Sequence, residues 1–182
     1  MKKRLAFLIS GGALLVSILL PYLFIVFTSP QYADRSPKMY LYAHGLEGDL
    51  RDWEVVGRYI GVDVTPRLPE LDLNIVSMVV AFLGVLTLTT AFLGKGIQRA
   101  VSISLVTAGL LLGGWTQYRL YQQGHRLDPN APMRTVVQPF TPPLIGVVKV
   151  SKITIYHLPH LGSALFVLAC GLTLYAAWRK SG

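Results

Sequence analysis

Twenty-four consecutive residues, Leu5 to Thr28, carry no charge. As one helix they would reach about 36 Å, at roughly 1.5 Å per residue, more than the roughly 30 Å hydrocarbon core of a bilayer. Three further apolar blocks follow, at about 73–94, 100–118 and 161–178, and none has Asp, Glu, Lys, Arg or His in its middle. Charged residues make up only 14% of the chain, against roughly 25% in a soluble domain. The pattern predicts an all-α integral membrane protein with transmembrane helices at about 5–28, 73–94, 100–118 and 161–178. Two extracytoplasmic loops, 29–72 and 119–160, are expected to form a small mixed α/β cap. The first block is too long for a secretory apolar region, and "QYAD" at 31–34 is a poor cleavage site, so it reads as an uncleaved anchor.

The net charge of +8 resolves into a topology signal once it is mapped. Lys2, Lys3, Arg4, Lys95, Arg99, Arg179 and Lys180 lie in short segments without acids, whereas all nine acidic residues fall in the two long loops. Basic short flanks stay cytoplasmic. The expectation is therefore the inner (cytoplasmic) membrane, multi-pass, with both termini cytoplasmic. The partners are then the lipid bilayer and other membrane protein subunits, and no nucleic acid. The single cysteine, Cys170, permits neither an intrachain disulfide nor a Cys-x-x-Cys site.

Within the loops, "KMYLYAHG" (38–45) and "VVKVSKITIYH" (147–157) are rich in strand formers. "RDWEVVGRYIG" (51–61) places Trp53, Val56, Tyr59 and Ile60 on one helical face, with Asp49 or Asp52 as its cap. All four histidines, His44, His125, His157 and His160, and the methionines Met39 and Met133 fall outside the apolar blocks. Imidazole and thioether together suit copper. His44, His157 and His160 are the candidate metal ligands; Met39 would have to join them, because a histidine pair supplies too few donors. The rival reading of "YHLPHLG" is an entry motif in which His157 ends a strand, Pro159 starts the last helix and His160 lies in its first turn, both imidazoles at the wet interface. His44 and His125, beside glycines, read as turn residues. No catalytic constellation, phosphate loop or dinucleotide fingerprint is present, and the spans hold no charged residue that would mark an ion pathway.

Two stretches, "SPQYADRSPKMYLYAHGLEGDLRDWEVVGRYIGV" (29–62) and "TPPLIGVVKVSKITIYHLPHLGS" (141–163), resemble a group of small bacterial membrane proteins. Their outer loop carries a "PQYP-G-L…Y…GD…NHYIGM" pattern and their last segment "PP-LG…ANF…WP-LGG". The resemblance implies an association with gene neighbourhoods for copper enzymes of nitrogen metabolism, of the nitrous oxide reductase type. This chain departs from the pattern: Gly57 and Arg58 replace its Asn-His, and Val62 replaces its Met.

Taken together, the residues and the resemblance lead to a non-enzymatic accessory or structural subunit of a membrane complex, one that contains a copper enzyme if the resemblance holds. An extracytoplasmic copper-binding chaperone or maturation factor is the first alternative. A small membrane enzyme or transporter component is the second. Copper is the one cofactor these readings invoke.

Overall fold

The computed structural model describes residues 2–32, 34–62 and 70–179. Residues 63–69 of the expected first loop, and Lys180 of the basic flank, lie outside them. Among the described residues there are five α-helices, α1 (Lys2–Ser17), α2 (Leu50–Ile60), α3 (Glu70–Thr90), α4 (Lys95–His125) and α5 (Leu161–Trp178). There are also five strands, β1 (Leu23–Thr28), β2 (Lys38–Leu41), β3 (Leu46–Gly48), β4 (Gly146–Val150) and β5 (Ile153–Pro159). The strands form one antiparallel sheet in the order β3-β2-β1-β5-β4.

The sheet overturns the all-α, four-span expectation. The uncharged block 5–28 is not one helix. α1 ends at Ser17, and residues 18–20 close single turns onto Leu15, Val16 and Ser17. Pro21 then disfavours helical backbone at the residue before it. The following Leu-Phe-Ile-Val-Phe-Thr is aromatic and β-branched, and it finds partners on both sides: Ile25 pairs with Met39 of β2 and with His157 of β5. Only α4 and α5 are long and apolar enough to cross a membrane; the apolar part of α3, Asn74–Thr90, is shorter, and α1 has 16 residues. α4 also overruns the expected 100–118 at both ends.

α1 packs against α5 and α3, and α4 packs against α5 and α3. Leu14, Val80, Leu83, Leu105, Phe166 and Ala169 fill the centre of this bundle. Glycines set the close approaches. A Cβ on Gly11 would stand 2.9 Å from the Gly84 carbonyl, so α1 and α3 cross nearly backbone to backbone. The turn after α3 is closed from α4: the buried Gln98 amide donates to the Leu93 carbonyl at 3.1 Å. Hydroxyls inside the bundle bond back to their own helix, as in Thr87 to Leu83 (2.7 Å) and Thr173 to Ala169 (2.9 Å), so no polar group there needs water.

The sheet sits at one end of the bundle, since β1 follows α1 and β5 leads into α5. One face is covered by α2 and by the 126–145 segment. Its core joins Leu23, Ile25, Phe27 and Met39 to Trp53, Val56 and Ile60, and to Val137, Val150, Ile153 and Ile155. The Trp53 ring meets Phe27 edge-on at 4.7 Å. Gly61 ends α2 in the left-handed conformation (φ 84°), where glycine costs least. The Gly61 carbonyl then accepts from Asp128 N at 2.8 Å, and the Tyr59 carbonyl accepts from Met133 N at 3.2 Å. Asp49 stands at the α2 N-cap position, but its carboxylate accepts from Lys38 N at 2.9 Å instead of capping the helix.

Candidate functional site

Strand alternation decides where the three candidate ligands go, because successive side chains point to opposite faces. On β5 the inward residues are Ile153, Ile155 and His157. His157 is 4% exposed and shares a cross-strand row with Ile25 and Met39. Ile25 stands between the other two, so they lie two strand spacings apart, about 10 Å. His160 points to the other face, with its ring 6.4 Å from Phe24 and 6.0 Å from Tyr40. His44 is exposed in the β2–β3 turn, 5.2 Å from the Tyr42 ring. His125 closes α4 with its Nδ1 at 2.9 Å from the Tyr121 carbonyl and its ring stacked on Tyr121. His44, His157 and His160 thus occupy a turn and two opposite faces of one sheet. Among the described residues no three His, Cys, Asp or Glu side chains form a set that could hold a metal ion.

The entry-motif reading also changes in detail. β5 continues through Pro159, and α5 begins at Leu161. His160 is the extended N-cap residue; its N–H donates to the Tyr22 carbonyl at 3.0 Å, which extends the β1–β5 pairing by one rung. Gly162 then meets Leu20 and Pro21 so closely that a Cβ there would lie 2.7 Å from the Leu20 carbonyl. His157 is a core residue, not a residue of the wet interface.

Burial without a partner gives His157 a measurable signature. Its Nδ1 makes no hydrogen bond, and burial holds its pKa below the ordinary 6.5. The folded cap therefore resists a proton that the unfolded chain accepts. The stability contributed by the neutral ring is full above about pH 6.5 and is lost as pH falls below it, down to the depressed folded pKa, by at most about 1.4 kcal/mol per pH unit. Thermal unfolding of the cap should shift down between about pH 7.5 and 5.5, before carboxylates titrate, and His157→Leu should remove the shift. A midpoint in the wild-type protein that does not move over this range would show that the ring is hydrated.

The uncovered face of the sheet is the largest feature the histidines had masked. Its row nearest the bundle holds Glu47, Tyr40, Phe24 and Leu158, and the next holds Lys38, Val26, Tyr156 and Val147. Lys149, Thr154 and Thr28 form the far row. An antiparallel sheet with one wet face normally alternates to polar residues on that face. Here the two rows nearer the bundle are mainly aromatic and aliphatic, with Leu158 44% and Val147 55% exposed. Exposed Leu19 and Leu161 continue the apolar surface to where the sheet meets the helices. Sequence reasoning missed this face because it treated each strand singly; the signal was that Phe24, Val26, Tyr156 and Leu158 are apolar on the alternation opposite to the core.

The helices carry a second surface. Leu110 and Leu111 of α4, and Val167 of α5, stand about 70% exposed. Guanidinium groups mark its limits: Arg99 lies over Trp178 at 5.9 Å and Arg179 over Tyr175 at one end, and Arg119 over Trp115 at the other. Arg99 and Arg119 stand twenty residues apart on α4, about 30 Å, which equals the thickness of a bilayer's hydrocarbon core. Comparison with protein-family models, curated proteins and solved structures found no match.

Proposed function

We propose that the protein is a non-enzymatic accessory subunit of a membrane complex, held in the inner membrane and presenting its sheet on the outer side. α4 and α5 cross the bilayer in opposite directions. Lys3, Lys95, Arg99 and Arg179 mark the cytoplasmic side, in keeping with the bias of basic flanks, and Lys3 donates to the Arg179 carbonyl, so both chain ends share that side. Tryptophan and tyrosine at both limits of the exposed apolar band are the residues that favour headgroup depth.

The observation that carries the subunit reading is the apolar gradient on the open sheet face. Its apolar rows adjoin the helices, and its polar row lies farthest from them. A partner that covers this face therefore approaches from the membrane side, which suits another integral membrane protein more than a soluble one. The two unpartnered rows are large enough to lose water on contact, and aromatic residues such as Tyr40, Phe24 and Tyr156 are common anchors at interfaces.

Photo-cross-linking in native membranes tests this. A photoreactive residue at position 156 or 158 should give one discrete adduct with an integral membrane protein, and the same probe at inward-facing position 155 should give none. Leu158→Lys should abolish that complex in mild detergent while leaving the fold intact. A monomeric protein without adducts at either outward position would refute the subunit reading. Metal analysis of the same complex would test the copper association separately.

A further inference from the structure

At the end of the sheet farthest from the helices, an open hollow of about 320 Å³ is lined by Thr28, Ser29, Pro30, Tyr32, Ser36, Lys152 and Thr154. Thr28 and Thr154 are a cross-strand pair and form its floor. The single turn at Pro30–Tyr32 and Ser36 make one wall, and the β4–β5 turn makes the other. That turn has two residues, Ser151 and Lys152, between the paired Val150 and Ile153. Ser151 takes a positive φ of 55°, which the short hairpin requires. Tyr32 is held by its edge-on contact with Phe27 of the core.

The chemistry of the lining is one-sided. Five side chains bring a hydroxyl, one brings an ammonium group, and none brings a carboxylate, although all nine acids of the chain belong to the same two extramembrane stretches. Among the described residues Lys152 forms no ion pair; Arg35, the nearest cation in sequence to Ser36, is taken by Asp52 and Asp49. None of the five hydroxyls donates a hydrogen bond within the protein among the described residues. Hydroxyl donors around a lysine without a counter-charge are complementary to an oxyanion: the ammonium acts as a point charge and the hydroxyls supply directed hydrogen bonds.

We propose that this hollow binds a tetrahedral oxyanion of the phosphate class, as a free solute or as an exposed phosphate group. The site is independent of the open apolar face: it lies about 17 Å beyond the start of β1, at the strand rise of about 3.3 Å per residue. Its openness to water implies weak binding. The ligand is bound unchanged, with no bond made or broken.

The test uses the full chain in neutral phosphatidylcholine nanodiscs, with inorganic phosphate as the probe and phosphorus NMR or calorimetry as the readout. Saturable binding is expected, weakened about tenfold or more by Lys152→Ala and substantially kept by Lys152→Arg. Ser36→Ala, which leaves the sheet untouched, should weaken it by a smaller factor. Arg134→Ala, a cation removed elsewhere in the cap, should not change it. If anionic phosphatidylglycerol in the disc competes with phosphate, a headgroup is the bound form; if it does not, the ligand is a free solute. Absence of saturable binding, or equal binding by wild type and Lys152→Ala, overturns the proposal.

Discussion

Trp53→Ala should unfold the cap and leave the helices standing. Trp53 is 3% exposed and sits where α2 meets the sheet, edge-on to Phe27, which is itself fully buried. Removing a buried tryptophan side chain costs about 3–5 kcal/mol. A small domain has only about 5–15 kcal/mol in total, so this change consumes much of what holds α2 on the sheet. The helix bundle has a separate core around Leu14, Leu105 and Phe166 and does not depend on that contact. External protease should therefore cut rapidly within 29–62 and 126–159 in the variant, while circular dichroism keeps most of the helical signal. Trp53→Phe should behave differently. The indole Nε1 is buried without a partner, and deleting an orphaned donor recovers part of its desolvation cost, about 1–3 kcal/mol. The phenylalanine variant should thus lie much nearer wild type than the alanine one. Equal protease resistance of Trp53→Ala and wild type would mean that α2 does not carry the cap.

A single methyl group at Gly124 should have the next largest effect. Gly124 lies buried in the last turn of α4, and its carbonyl accepts from Phe140 N at 3.1 Å. A Cβ there would fall on the Phe140 carbonyl and within 3.1 Å of Pro142 Cδ, neither of which is a flexible side-chain end. Gly124→Ala should push the 126–145 segment off the helix at a cost of about 1–3 kcal/mol or more. The bonds from Gln117 Nε2 to the Pro142 carbonyl (3.0 Å) and from Leu144 N to Gln117 Oε1 (2.7 Å) should fail with it. Hydrogen exchange at Leu144 and Phe140 reports this directly. Gly114→Ala on the same helix meets nothing within 4 Å and should be neutral or stabilising by up to about 1 kcal/mol. Equal exchange in the Gly124 and Gly114 variants would show that the close approach is not maintained in solution.

The same geometry bears on the histidines. Two imidazoles three residues apart look like a pair in a linear sequence, and in a helix they would share a face. An extended chain puts them on opposite faces instead. Once residues through Pro159 pair with β1, His157 faces the α2 core and His160 the open side. Pairing with Ile25 and Gly146 fixes that register.

What the sequence determined by itself is local. The uncharged lengths of α4 and α5 and the basic segments at their shared end follow from composition along the chain. The 3.6-residue spacing of Trp53, Val56 and Ile60 marks α2, whose buried face those residues form, although Tyr59 proves 44% exposed. The β-branched run at 147–157 marks strand, but not the two-residue turn at Ser151 and Lys152 that folds it into a hairpin. What only the tertiary structure decided is non-local. Residues 23–28 are apolar enough for a helix, and they become the centre of a sheet because β2 on one side and β5 on the other satisfy their backbone N–H and C=O groups. β5 lies more than a hundred residues away, so no window along the chain contains that pairing.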